Sequence, residues 1–313
     1  MRRVARLCLF LACVPAAQAG PAQSPPEMAR LLQEVQAQVA QGAPGGPEAL
    51  AALLKAMSER FTAFSPEIWR EPRNVRAAAL LALAGGSVEP ARHIAAGGGL
   101  AEPEDKLVRG VLAHVEGRAA EARSLLAALE PRDLDAGLGA HVAFAQAGLA
   151  DPKDRDKMRD RLELARLLAP GGLIEEAALR RELFLAEEQG ATRTFLDLSR
   201  RYARRFRNSA YFDNFARAFA ARLAGAPLAQ LEPAYADVAD VARLLPEADR
   251  RAALLDLSRR ALLAGRRDLG ARAAREAAAV AEADGRTSAR AALYSAAASI
   301  GDGARAGTLA ALE

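Results

Sequence analysis

Residues 27–61 read EMARLLQEVQAQVAQGAPGGPEALAALLKAMSERF, and this stretch decides the fold class. Met28, Leu31, Leu32, Val35 and Val39 recur at the spacing that lines one face of a helix. The run from Gly42 to Pro47 stops that helix. Pro47, which has no N–H and a fixed φ, suits the first turn of the next one. The second helix carries Leu50, Leu53, Leu54, Met57 and Phe61. Two amphipathic helices joined by a tight turn make a helical hairpin.

Outward from this hairpin the same pattern recurs. Breakers fall at Gly85-Gly86, Gly97-Gly98-Gly99, Gly117, Pro131, Asp151-Pro152, Pro170-Gly171-Gly172, Gly190, Gly225-Ala226-Pro227, Pro246, Gly265 and Gly285. Between them lie helical segments of roughly 12–18 residues. No stretch alternates with period 2 or concentrates β-branched residues, so no strand is predicted. The expected fold is all-α, an α-solenoid of stacked helical hairpins. Two segments resemble degenerate tetratricopeptide repeats: Gly110, Ala113, Gly117, Ala122, Leu126 and Leu129 in one, Ala261, Gly265, Gly270, Ala274 and Ala277 in the other. A looser copy centres on Gly190, with Leu183, Ala186, Phe195 and Leu198. Such arrays present long surfaces that bind peptides or protein domains.

The amino terminus reads as an export signal. Arg2, Arg3 and Arg6 precede a short apolar run over residues 7–14, and Ala17-Gln18-Ala19 follows. Cleavage is expected after Ala19. The rival reading, a lipid-modified Cys13, has a poor match in Phe10-Leu11-Ala12-Cys13. The two cysteines, Cys8 and Cys13, both lie in this segment, so the exported chain is expected to have no disulfide and no thiolate site. Three of the cations behind the formal charge of +4 lie there too, which leaves the remainder nearly neutral. That balance gives no support to a nucleic-acid or anionic-membrane partner. Charges interrupt every later apolar run, so no membrane span of roughly 20 residues is expected. The predicted organisation is a signal peptide over 1–19, a flexible lead over 20–26 and a hairpin array over 27–224. Carboxy-terminal hairpins over 225–300 continue the array past a weak seam at Gly225-Ala226-Pro227, and a frayed tail covers 301–313.

The inventory for chemistry is thin. His93, His114 and His141 lack the i, i+4 spacing of a helix-borne zinc pair and read as helix-surface or hairpin-packing residues. The glycine clusters follow no predicted strand and lack a P-loop lysine and hydroxyl. No Gly-x-Ser-x-Gly elbow occurs. Glu175-Glu176 and Glu187-Glu188 read as solvated helix faces. Some glycan-cleaving enzymes pair a helical superhelix with a catalytic domain, but residues 250–313 offer only Ala-rich helices in its place. No catalytic, cofactor-binding or metal-binding residue is assigned, and the chain is expected not to be an enzyme.

The most informative stretch spans residues 195–219. Phe195, Tyr202, Phe206, Tyr211, Phe212, Phe215 and Phe219 interleave there with Arg200, Arg201, Arg204, Arg205 and Arg207. The aromatics read either as buried stripes flanked by solvated arginines or as an interface, since Tyr, Phe and Arg are enriched at binding hot spots. Trp69, the only tryptophan, offers the same choice, as a helix-entry anchor or as part of a patch with Arg70 and Arg73. On the interface reading, the candidate partner-binding residues are Trp69, Arg70, Arg73, Tyr202, Arg204, Arg205, Phe206, Tyr211, Phe212 and Phe215.

These segments also carry a family resemblance. Ile68-Trp69-Arg70-Glu71-Pro72-Arg73-Asn74-Val75-Arg76-Ala77-Ala78, within residues 61–86, is similar to the amino-terminal part of MotC-type motility proteins. Leu164-Ala165-Arg166-Leu167-Leu168-Ala169-Pro170-Gly171 and Glu175-Glu176-Ala177-Ala178-Leu179-Arg180-Arg181 resemble their middle. Tyr202-Ala203-Arg204-Arg205-Phe206-Arg207-Asn208-Ser209-Ala210-Tyr211 and Asn214-Phe215 continue it in order. The resemblance implies an exported periplasmic protein that associates with a MotB-type stator subunit of the flagellar motor and supports rotation without conducting ions. It carries over no catalytic residue and no cofactor. A generic periplasmic repeat scaffold of envelope assembly or secretion shares the fold and differs only in partner.

Overall fold

The computed structural model describes residues 24–280 and 285–299. The expected signal peptide over 1–19 and the tail over 301–313 lie outside these residues. Sixteen α-helices and two short 3-10 turns occupy the described chain, with no strand among the described residues. The all-α expectation holds.

Helix α1 (Pro25–Ala40) starts within the segment predicted as a flexible lead. Pro25 and Pro26 form its first turn, where the missing N–H costs nothing and the ring presets φ. The Glu27 carboxylate accepts from the Ser24 backbone N–H at 2.7 Å and anchors the start. Helix α2 (Gly46–Ala63) turns back on α1, and Gly42 (φ 79°) ends the first helix. A 3-10 turn at Pro66–Arg70 then leads into α3 (Pro72–Leu83) and α4 (Glu89–Gly97).

Stacked hairpins follow. Helices α5 (Glu104–Val115) and α6 (Ala119–Ala127) pair, as do α7 (Ala136–Leu149) and α8 (Arg155–Leu168). Helices α9 (Leu173–Glu188) and α10 (Thr192–Arg205) form the next pair. The pattern loosens over α11 (Phe212–Gly225), the single turn α12 (Leu228–Leu231) and α13 (Tyr235–Ala242): α11 packs on α14 (Glu247–Leu263), and α13 reaches back to α10. Helix α14 pairs with α15 (Arg267–Ala278), which packs on α16 (Gly285–Ser299).

The three glycines predicted at hairpin corners make one identical turn. Gly117, Gly190 and Gly265 have φ of 77°, 64° and 73°, a conformation that a Cβ would oppose. After each, the next N–H reaches back to the carbonyl five residues earlier: Arg118 to Ala113 at 2.8 Å, Ala191 to Ala186 at 2.9 Å and Arg266 to Ala261 at 2.8 Å. Inside the repeats Gly110 lets α6 approach, because a Cβ there would lie 2.7 Å from Leu126 Cδ2.

Two main apolar clusters fill the array. One joins Met28, Leu32, Phe61, Trp69, Leu80, Leu107, Leu126 and Leu138 in the amino-terminal half. The other joins Leu179, Leu196, Tyr202, Phe206, Phe219, Leu231, Val238, Leu257 and Leu269, and so continues across the Gly225-Ala226-Pro227 seam. The Arg260 guanidinium spans the same seam, donating to the Leu223 and Ala226 carbonyls at 2.6 and 2.7 Å. Helix α1 belongs to both clusters, through Met28 and Leu32 at one end and Ala40 at the other.

Candidate functional site

Helix α10 buries Phe195, Leu196, Ser199, Tyr202 and Ala203, a stripe at i, i+3/i+4 spacing directed at α9 and α11. Phe212, Phe215 and Phe219 answer it from α11. The rings stack across the gap: Tyr202 on Phe215 with centroids 4.3 Å apart, Phe195 on Phe219 at 5.9 Å with planes 7° from parallel. These aromatics are core, and the choice left open by the sequence falls to the buried stripe. Tyr202, Phe206, Phe212 and Phe215, named as contact candidates, are all buried. Trp69 is buried as well, its ring 5.7 Å from Phe61 and 6.0 Å from Phe64, which makes it a helix-entry anchor. Packing on its neighbours takes the apolar area of each of these rings out of water.

Of the other candidates, Arg70, Arg73, Arg204, Arg205 and Tyr211 are exposed. Arg205 is tied down, its Nε donating to Glu175 Oε2 at 2.7 Å. Tyr211 stands at the edge of the aromatic core with the Arg180 guanidinium 4.8 Å from its ring centre. The structure therefore does not join the ten candidates into one surface.

What it does assemble is a buried polar knot that the sequence reading placed in solvent. Glu175 and Glu176 are both buried. Glu176 Oε1 accepts from the Tyr202 hydroxyl at 2.5 Å and from Ser209 Oγ at 2.7 Å. Glu175 accepts from Arg205 and from the Gly171 backbone N–H. The solvated-face expectation fails because these donors arrive from α10, from Ser209 just after it and from Gly171 just before α9. The signal for Glu176 was present, since it lies on the same stripe as Leu179, Leu183 and Ala186. Glu187 and Glu188 are exposed as expected, facing Arg222 at 3.7 Å and Arg155 at 2.5 Å. About two turns along α9 from Glu175, the buried Glu182 pairs with Arg166 Nε at 3.0 Å on the floor of a groove of about 290 Å³ between α8 and α10. Burial pushes the Glu182 carboxyl above its usual range, and Arg166 opposes that shift.

The histidines are scattered. His93 is exposed, and His114 is half-buried with its imidazole pushed to lower pKa by desolvation. His141 is buried beside a cavity of about 170 Å³ lined by Gln33, Gln36, Leu168 and Ile174. Its Nδ1 lies 2.8 Å from the Gly137 carbonyl, so Nδ1 carries the proton and Nε2 is a buried acceptor without a partner. Desolvation lowers its pKa to about 4, against the raising effect of that hydrogen bond. Among the described residues no group of three or more His, Cys, Asp or Glu side chains is placed to hold a metal ion. No helix among them is long and apolar enough to cross a membrane.

The fold and its surfaces define an α-helical repeat protein in which packing has absorbed the aromatic and acidic residues that the sequence singles out. The chain belongs to the MotC family: the family described as "Chemotaxis protein MotC" matches residues 1–313. It is 29% identical over 254 residues to the Chemotaxis protein MotC of Rhizobium meliloti (strain 1021), covering 81% of this chain and 58% of that protein's length. The matched region thus spans a little over half of that relative.

Proposed function

We propose that the chain is exported to the periplasm and acts there as a non-catalytic binding scaffold of the flagellar motor, associating with the MotB-type stator subunit to support rotation. The observation that carries this reading is the family match along residues 1–313 of a helical-hairpin array. Two further features support it. Arrays of this kind bind through extended helix faces, and the buried Glu175 and Glu176 of α9 are engaged by Arg205, Tyr202 and Ser209 within the fold.

The test is a deletion of the gene, scored for swimming and for filaments. Cells that keep filaments and stop swimming place the protein at the motor, and normal swimming removes the motor assignment. Recovery of the MotB-type subunit with the tagged chain tests the partner. Incubation of purified cell wall with the chain tests the absence of catalysis, and sustained release of glycan fragments would overturn it.

A further inference from the structure

Helix α9 divides its charges unequally. Each of its glutamates is already engaged: Glu175 by Arg205, Glu176 by Tyr202 and Ser209, Glu182 by Arg166, Glu187 by Arg222 and Glu188 by Arg155. Its two arginines, Arg180 and Arg181, are exposed, and neither has a carboxylate in ion-pair range among the described residues. Both lie against aromatic rings that are themselves open to solvent. Arg180 covers Tyr211 at 4.8 Å, with the tyrosine 37% exposed. Arg181 stands 5.8 Å from Phe184, which is 48% exposed in the middle of the helix.

A guanidinium resting on a ring is pre-oriented while its edge donors stay free, and a carboxylate satisfies them with paired, charge-assisted hydrogen bonds. The carboxylates of α9 are committed elsewhere and no other carboxylate among the described residues reaches either guanidinium, which leaves both edges open to a carboxylate of another molecule. The exposed ring of Phe184 beside them calls for an apolar side chain, and Arg with aromatic residues is the composition of binding hot spots.

We propose that Arg180, Arg181, Phe184 and Tyr211 form the docking face for an acidic segment of a protein partner, one that also brings an apolar side chain onto Phe184. This rests on the binding-scaffold reading and names the surface that does the binding. The carboxylates of the partner meet the two guanidinium edges, and both aromatic rings lose water on contact.

The experiment places the photo-crosslinking residue p-benzoylphenylalanine at position 184 of the full chain in living, motile cells. The same residue at position 263, where Leu263 is 78% exposed, serves as control. The expected result is an adduct at 184 and not at 263, whose mapped partner peptide carries several carboxylates, with at least tenfold less adduct when R180E/R181E is added. Circular dichroism of that variant should match the wild type, because both arginines are exposed. No adduct at 184, an adduct on a segment without carboxylates, or an undiminished yield in R180E/R181E each overturns the proposal. An acidic partner other than the stator subunit leaves the docking face standing and removes the stator reading.

Discussion

The Tyr202 hydroxyl donates to Glu176 Oε1 at 2.5 Å inside the core, and Ser209 supplies a second donor to the same oxygen at 2.7 Å. Burial and the neighbouring carboxylate both push the Tyr202 hydroxyl to higher pKa, so it stays a donor throughout the neutral range. Tyr202→Phe keeps the ring stack on Phe215 and removes only this hydrogen bond. The expected cost is about 1–3 kcal/mol, since a buried carboxylate then depends on Ser209 alone. Urea unfolding of the variant checks it, and an unchanged midpoint would show that the bond contributes nothing net.

Two glycines in neighbouring hairpins should respond with opposite signs. Gly110→Ala drives a methyl to within 2.7 Å of Leu126 and should destabilise by about 1–3 kcal/mol through overpacking. Gly148→Ala, in α7 with open space around the new methyl, should stabilise by about 0.4–1 kcal/mol. Thermal melts of both variants side by side read the difference.

His141 should make stability depend on pH. Its folded pKa of about 4 lies below the ordinary value of 6.5, so the unfolded chain binds the proton first as pH falls. The stabilisation is complete above about pH 6.5 and drains away on acidification towards pH 4. Between pH 7 and pH 5 the loss is about 2 kcal/mol. His141→Gln has no such proton to bind, so its stability should fall less over that interval than the wild type's. Parallel slopes for the two proteins would exclude His141 as the source.

Trp69 and Arg73 are close in sequence and should differ sharply in effect. Trp69→Ala empties a site packed by Phe61 and Phe64 and should cost about 3–5 kcal/mol. Arg73→Ala, exposed and unpaired among the described residues, should stay within about 0.5 kcal/mol of wild type. Denaturant midpoints separate the two, and a large effect at Arg73 would mark a contact of that side chain within the fold.

Much of the architecture was legible because it is local. The hairpin corners at Gly117, Gly190 and Gly265 need only a positive φ and a short run of helix on either side, and both are written in adjacent residues. The start of α1 was less legible: prolines that read as a flexible lead became a first turn once Ser24 and Glu27 capped it. The site was read least well. Exposed-aromatic logic selected Trp69, Tyr202, Phe206, Phe212 and Phe215, which are core, and passed over Arg180, Arg181 and Phe184. Phe184 sits between Leu183 and Leu185 in an unbroken apolar run, and nothing in that run says which of the three faces outward.

The sequence by itself therefore determined the helices, their corners and the all-α class, since periodicity and backbone preference act over a few residues. Only the tertiary structure decided which stripe of each helix meets water. Burial at Glu176 is settled by donors 26 and 33 residues away, and exposure at Phe184 by the absence, among the described residues, of a helix packed over that side of α9. Such distant pairings are set by how the hairpins stack, a relation that no short window of sequence contains.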